Sequence, residues 1–247
     1  MNRLRNIIVL LLPAALFLGL WQGAVADDNR LQFLFASPAA ILDIAIEELG
    51  HAEIWRHILT TFGEAALGLL FGTVLGTGAG LLLWGNGKID FITRPYLAFI
   101  GAIPIFALAP ITILWFGIGL LSKAVMAGFA VFFVSMLQAY EGAHAVAKDH
   151  LDFARSIGAG NGRIAAKIII PGAIGWVAAG YKMNAGFALM GAFIGEFVSS
   201  EAGLGHYILK ATALYDMPRV MFGILLLALL AMAMTGCARL LRFKRKS

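Results

Sequence analysis

The chain has 247 residues, of which 60% are hydrophobic and only 13% are charged, and its mean hydropathy is +0.85. Soluble globular domains are far more polar than this, so the composition indicates a polytopic membrane protein. The net charge of +5 does not indicate nucleic-acid binding, because the basic residues lie in short segments between apolar runs, where they act as orientation signals.

The first apolar run, residues 7–26, follows Arg3 and Arg5. About 20 apolar residues are needed to span a bilayer, whereas the core of a signal peptide has only about 7 to 15, so the run is predicted to be an uncleaved anchor helix. The alternative is a cleaved signal peptide, because Ala24-Val25-Ala26 is similar to a signal-peptidase site. Cleavage would leave five spans with the same orientation.

The longest polar segment, residues 27–63, is predicted to be an external loop with a surface helix that starts at Ser37-Pro38. Its acidic residues have neither H-E-x-x-H nor EF-hand spacing, which favours a solvated face over a metal site. We therefore predict an N-terminal anchor and external loop over residues 1–54, and a transmembrane domain over 55–243.

The second predicted span, residues 65–84, carries a glycine every four residues. Small residues at this spacing allow another helix to approach closely within lipid. We name these residues the glycine face: Gly68, Gly72, Gly76 and Gly80.

The letters that follow, Gly85-Asn86-Gly87-Lys88-Ile89, are similar to part of a phosphate-binding loop. Leu82 stands where its first glycine is needed, and Ile89 stands where Ser or Thr is needed to hold magnesium. We predict that the chain has no nucleotide site of its own.

The third predicted span, residues 95–119, is interrupted by Pro104 and Pro110, and the fourth covers residues 122–139. A proline removes a backbone hydrogen bond and kinks a helix. In a membrane this is tolerated where neighbouring helices or a water-lined cavity satisfy the carbonyl that loses its donor. The two prolines are compatible with a helix that lines a pore and equally with simple bends in a packed helix.

A polar segment, residues 152–171, interrupts the apolar sequence. A helical run with Lys148, Asp152 and Arg155 reaches a glycine break, and a second short helix then places Arg163 and Lys167 four residues apart. Ile164 and Ile168 form the apolar stripe of this second helix, which ends at Pro171. Two short amphipathic helices at a membrane surface favour a docking platform for a soluble partner over a catalytic pocket.

The fifth predicted span, residues 172–197, contains Lys182, Asn184 and Glu196. Lys182 lies about 15 Å from the start of this run, where a charge costs roughly 2.5 to 3.5 kcal/mol unless it faces water or a partner. The alternative is that the helix begins obliquely and Lys182 reaches the membrane edge. A Gly203-Leu204-Gly205 turn, a short external helix over 206–213 and a sixth span over 220–241 complete the chain.

The distribution of basic residues predicts the orientation. With both termini inside, the inner segments hold 13 of the 19 lysines and arginines and the outer segments hold 5, among them Lys123. Positive charge accumulates on the cytoplasmic side of membrane proteins. Both termini and the 152–171 segment are therefore predicted to be cytoplasmic.

The polar segment resembles the EAA loop of permease subunits in ATP-binding-cassette importers, which have the MetI-like type I fold. Two positions depart from that pattern, since Asp152 replaces the usual Glu and Phe153 a frequent Ala. Two further stretches are similar to the signature of one branch of this family, which serves nitrate, taurine, alkanesulfonates and bicarbonate. The first is residues 103–119, with two prolines and Leu114-Trp115-Phe116-Gly117-Ile118-Gly119. The second is Glu196 followed by Gly-Leu-Gly. The residues carrying the loop resemblance are Asp152, Ala154, Gly158, Ile168 and Pro171.

This resemblance implies an all-α polytopic membrane protein with six transmembrane helices and a cytoplasmic coupling loop between helices 4 and 5. It implies a homodimer in a bacterial inner membrane, two cytoplasmic ATP-binding subunits, a periplasmic or lipid-anchored substrate-binding protein, and no cofactor, metal or catalytic residue. The expected substrate is a small anion, with Lys182, Asn184 and Glu196 at the translocation path. The expected coupling residues are Asp152, Ala154, Gly158, Arg163, Lys167, Ile168 and Pro171.

Two other classes of protein were weighed. A self-contained secondary transporter or channel usually has several ionisable residues within its spans, whereas only Lys182 and Glu196 qualify here. An intramembrane enzyme needs a nucleophile with a base or paired metal ligands, and all five histidines lie outside the predicted spans. Both alternatives have less support than an importer permease.

Overall fold

The computed structural model describes residues 2–26, 29–85, 92, 95–96 and 104–243. The elements found there are helices joined by short turns, as expected where backbone groups must be satisfied within lipid. A 3₁₀ turn over Ile105–Leu108 precedes α5, and a π turn over Ala165–Ile169 joins α8 to α9. The helices are α1 (Asn2–Ala26), α2 (Asn29–Phe35), α3 (Pro38–Leu49), α4 (Ala52–Trp84), α5 (Ala109–Phe116), α6 (Leu120–His144), α7 (Lys148–Ser156), α8 (Asn161–Ile164), α9 (Ile170–Ala179), α10 (Tyr181–Val198), α11 (Leu204–Ala213) and α12 (Met217–Phe243).

Several of these helices have the length and composition needed to cross a membrane, which makes the chain an all-α polytopic membrane protein. The predicted count of six spans stays a prediction, because residues 97–103 of the third span lie outside the described part of the chain. Shorter apolar helical segments cover Leu12–Ala26 and Phe106–Phe116. In the described part, the segments long and apolar enough to cross are Ala52–Trp84, Leu120–His144, Asn161–Ala179 and Met217–Gly236.

Helix α4 begins at Ala52, well before the predicted start at residue 65, and has 33 residues. The external loop predicted over residues 27–63 is therefore wrong in its last part. The reason is that Ile54, His57 and Thr61 recur at helical spacing and are buried. The predicted domain boundary at residues 54/55 falls within the first turn of α4.

Helices α4 and α6 pack along most of their lengths. All four residues of the glycine face contact α6, and a Cβ atom added at Gly72 would lie 2.6 Å from the carbonyl oxygen of Gly128. Such an approach leaves no room for a side chain. Helix α10 packs on the same pair, since a Cβ atom at Gly191 would lie 2.7 Å from the Cα atom of Ala127. These three helices form the centre of the described structure.

The predicted fifth span has different bounds. The helical course starts at Asn161, passes through the π turn and continues to Ala179, so Pro171 lies inside a helix rather than ending one. The amide of Ile170 bonds the carbonyl of Ala165, five residues back. This wider turn directly before a proline makes room for its ring. A break at Gly180 then separates α9 from α10.

Candidate functional site

The two-helix segment of residues 148–171 is attached to one end of α4 and α6. Ala154 of α7 and Ile164 of α8 are buried together with Ala143 of α6, and Leu81 and Trp84 of α4 pack against them. Apolar contact thus holds both short helices against the ends of two spans, while their polar sides stay exposed. A force applied to this segment would act directly on α4 and α6.

Gly158 makes the corner between α7 and α8. Its φ of +81° lies in the left-handed region, which glycine adopts at little cost. Its amide bonds the carbonyl of Arg155 at 2.9 Å, and the Ala159 amide bonds the carbonyl of Ala154 at 3.0 Å, which closes the last turn of α7. No atom lies within 4 Å of an added Cβ. Glycine is therefore required here by backbone conformation rather than by space.

The exposed surface of α7 carries two large apolar side chains one turn apart. Phe153 is 67% exposed and Ile157 is 69% exposed. Beside them, Asp152 and Arg155 form an exposed ion pair at 3.0 Å. The family resemblance marks Phe153 only as a departure and does not single out Ile157, although their four-residue spacing is visible in the sequence.

The remaining residues predicted for the coupling loop occupy different positions. Arg163 and Lys167 are exposed, which leaves two positive charges on α8 and the π turn. Ile168 is partly buried against the apolar cluster beneath the segment. Pro171 is exposed in the first turn of α9. The segment therefore presents an apolar pair flanked by charges of both signs.

The three residues predicted to line a path do not share one environment. Lys182 is exposed in the first turn of α10. Asn184 is buried, and its side-chain amide donates to Ser135 Oγ at 3.0 Å and to Gln138 Oε1 at 3.1 Å. These bonds join α10 to α6. The Asn184 side chain therefore lies between two helices rather than on an open surface.

Glu196 is fully buried near the end of α10. Its Oε1 accepts a hydrogen bond from Thr61 Oγ1 and its Oε2 accepts one from the Gly205 amide, each at 2.6 Å. The Glu196 side chain therefore joins α10 to α4 and to the start of α11. It also lies away from any open surface of the chain.

Two further buried ionisable residues, Glu64 of α4 and Lys123 of α6, lie beside Glu196. Each is 1% exposed, the Glu64 carboxyl group lies beside that of Glu196, and the Lys123 ammonium group donates to the carbonyl oxygen of Ile118. Lys123 was counted among the basic residues of the outer segments, and the structure buries its side chain, because α6 begins at Leu120 and packs it inward. We name Thr61, Glu64, Lys123, Glu196 and the turn 203–205 the Glu196 cluster.

The Glu196 cluster and the 148–171 segment lie at opposite ends of α4 and α6. Glu64 and Lys123 are near the start of the apolar parts of these helices, and Trp84 and Ala143 are near their ends. Within the described residues, no group of three His, Cys, Asp or Glu side chains is arranged to hold a metal ion. The membrane-crossing helices therefore have a polar element at each end: the Glu196 cluster at one end and the 148–171 segment at the other.

Membrane-crossing helices with a two-helix platform at one end define the membrane-spanning subunit of a transporter. Residues 68–246 match the family described as binding-protein-dependent transport system inner membrane component, and the chain belongs to this family. It is the permease subunit of an ATP-binding-cassette importer, a multi-pass protein of the bacterial inner membrane.

Relatives of known name support this assignment. The chain is 31% identical to a probable ABC transporter permease protein of Haemophilus influenzae, over 91% of each chain. It is 30% identical to the riboflavin transport system permease protein RibX of Chloroflexus aurantiacus, over 93% of this chain and 87% of that one. It is 26% identical to the putative aliphatic sulfonates transport permease protein SsuC of Bacillus subtilis, over 95% and 85%.

The fold is similar to that of a solved transporter. A chain of the MetNI methionine ABC transporter in an inward-facing conformation matches with a TM-score of 0.62 and 18% identity. The match covers 78% of this chain and 97% of that one. At this identity the similarity concerns the fold alone, and it supports the MetI-like architecture expected from the sequence.

Proposed function

We propose that two copies of the chain form the translocation path between them and that two ATP-binding subunits dock on the 148–171 segment. The observation that carries this proposal is the exposed pair formed by Phe153 of α7 and Ile157, the residue that caps the end of α7. Large apolar side chains on an otherwise polar, surface-lying helix are the kind of residue that a protein partner buries. In this proposal the partner subunits bind and hydrolyse ATP; residues 86–89, which carry most of the partial phosphate-loop pattern, lie outside the described part of the chain.

Replacing both side chains tests the docking. In Phe153→Ala/Ile157→Ala, we expect at least a tenfold loss of ATP-binding subunit retained on the purified permease, because the apolar contact is removed while the buried Ala154 still anchors α7. Leu214→Ala is a suitable control, since Leu214 is 71% exposed at the other end of the molecule. Retention equal to that of the parent permease in the double variant would contradict the proposal.

The substrate is proposed to be a small solute of the organic or inorganic anion class, and Lys182 to face its path. The exposed ammonium group of Lys182 supports this, because a charge within a span is favoured where it faces water or a charged solute. The relation to SsuC, named for aliphatic sulfonates, agrees with an anion. In this proposal Asn184 and Glu196 hold α10 in position beside the path.

The direction of transport follows from the importer family to which the chain belongs, and the proposed orientation places its partners. With both termini and the 148–171 segment in the cytoplasm, the ATP-binding subunits dock inside and a substrate-binding protein delivers solute to the opposite face. Alternating access then consists of a rigid-body movement of helices that is driven through the segment.

A further inference from the structure

The Glu196 cluster is not used by the docking platform, and it concentrates buried ionisable side chains at the opposite end of the helical body. Glu64 and Lys123 are each 1% exposed and Glu196 is fully buried, and the three residues come from three different helices. Ionisable groups in such positions are costly and usually mark a functional element.

The cluster organises the beginning of α11. Three successive backbone amides donate to side chains there: the Gly203 amide to His57 Nδ1 at 3.0 Å, the Leu204 amide to Thr61 Oγ1 at 2.8 Å, and the Gly205 amide to Glu196 Oε2 at 2.6 Å. The first amides of a helix have no partner within the helix, and its N-terminus favours a negative charge. Side chains of α4 and α10 thus supply the hydrogen-bond acceptors that the first amides of α11 lack within the helix.

The glycines of this turn are required by the same contacts. Gly203 has a φ of +109°, and a Cβ atom there would overlap the Glu196 carboxyl group. A Cβ atom at Gly205 would lie 2.8 Å from Cβ of Glu196. Leu204 between them is fully buried in the main apolar core. The turn therefore fits against Glu196 only with glycine on both sides of Leu204.

The charges of the cluster depend on each other. Its two carboxyl groups lie in contact with one another and share the field of one ammonium group, that of Lys123. Glu64 Oε2 is buried with no hydrogen-bond partner among the described residues. Replacing Glu196 by glutamine leaves one accepting oxygen for two donors, Thr61 Oγ1 and the Gly205 amide, so one buried donor loses its acceptor.

We propose that Glu196, together with Lys123 and Glu64, is a positioning residue that fastens the turn 203–205 and α11 to α4 and α10, so that this end of the permease moves as one body during transport. The movement during transport rests on the proposed function. The attachment of the turn and α11 does not depend on the proposed function, and it can be measured in the permease alone.

The test uses a cysteine reporter in the full chain, with Cys237→Ser, reconstituted in lipid nanodiscs so that both faces are accessible. Leu204→Cys should react slowly with a charged thiol reagent in the parent and at least ten times faster with Glu196→Gln, because the turn then separates from α4 and α10. Ala211→Cys, which is also buried on α11, is the alternative reporter if Leu204→Cys does not fold.

Two controls separate the fastening from general destabilisation. Glu201→Gln makes the same chemical change at an exposed position in the neighbouring loop and should leave the rate unchanged. Ala143→Cys, buried at the opposite end of α6, should keep its rate in Glu196→Gln. Unchanged reactivity at residue 204, or equal acceleration at residues 204 and 143, would overturn the proposal.

The transport part is tested in the complete complex with its ATP-binding subunits and binding protein. Glu196→Gln should lower the substrate transported per ATP hydrolysed at least fivefold, while ATP hydrolysis continues. An unchanged ratio would overturn the transport part even where the reporter reacts faster. Failure of the parent permease to bind ATP-hydrolysing subunits would instead contradict the proposed function, and the reporter result would still decide the fastening.

Discussion

At the scale of single residues, two lysines show how the same side chain is accommodated differently. Lys123 is buried, donates to the Ile118 carbonyl and is opposed by Glu64 and Glu196. Lys182 is exposed on α10. In the first arrangement the positive charge is compensated within the chain, whereas in the second the ammonium group is exposed, as the proposed solute path requires. Burial, rather than residue type, distinguishes the two lysines.

The role of Lys182 can be tested by accessibility. In Lys182→Cys with Cys237→Ser, we expect reaction with a charged thiol reagent, and a severalfold slower reaction when nucleotide or substrate closes the path. Lys210→Cys on the exposed side of α11 is the control and should react at the same rate in every state. Reactivity at residue 182 that is insensitive to nucleotide and substrate would indicate that the side chain only reaches the membrane edge.

At the scale of helices, the α4–α6 contact yields a prediction with a control on the same helix. A side chain at Gly76 would overlap the carbonyl oxygen of Phe132, whereas one at Gly78 would meet no atom within 4 Å. Gly76→Val should therefore destabilise the permease by about 1 to 3 kcal/mol more than Gly78→Val, as expected for overpacking. Thermal unfolding in detergent, followed by size-exclusion chromatography, measures the difference, and equal midpoints would contradict it.

The sequence predicted some of these elements well because their signals are local. A glycine every fourth residue is a one-dimensional pattern, and the structure places all four residues against α6. The Glu196 cluster has no such pattern, since Glu64, Lys123 and Glu196 are far apart in the chain and Lys123 stands just after a loop. Only the packing of three helices shows that these charges compensate each other.

The bounds of α4 and α9 show a second limit of sequence reasoning. Apolarity marks where lipid begins, whereas a helix ends where its hydrogen bonding ends, and these need not coincide. Helix α4 extends outward to Ala52 because its buried side chains continue at helical spacing. The helical course through Pro171 continues because a π turn precedes the proline. Neither feature can be read from hydropathy.

At the scale of the whole molecule, the orientation is the prediction with the widest consequence. A reporter fused after Ala159 should behave as cytoplasmic and one fused after Gly203 as external, because 13 basic residues lie on one side and 5 on the other. Paired fusions to a phosphatase that is active only outside and to a fluorescent protein that is active only inside measure this. Both fusions on one side would show that the count of spans between them is wrong.

The helical course from Asn161 to Ala179 has a mechanical consequence. It behaves as a rod of 19 residues, about 28 Å long at 1.5 Å per residue, and its first turn belongs to the docking platform. Near its far end it bears on α6, where a Cβ atom added to Gly142 would lie 2.7 Å from Cβ of Trp176, so this contact can act as a fulcrum. A tilt of about 5° about this contact would move the first turn, about 22 Å away, by roughly 2 Å, and Ala179, about 4.5 Å away, by only about 0.4 Å. A rotation imposed at the membrane surface would thus reach the neighbourhood of Lys182 as a sideways shift reduced about fivefold.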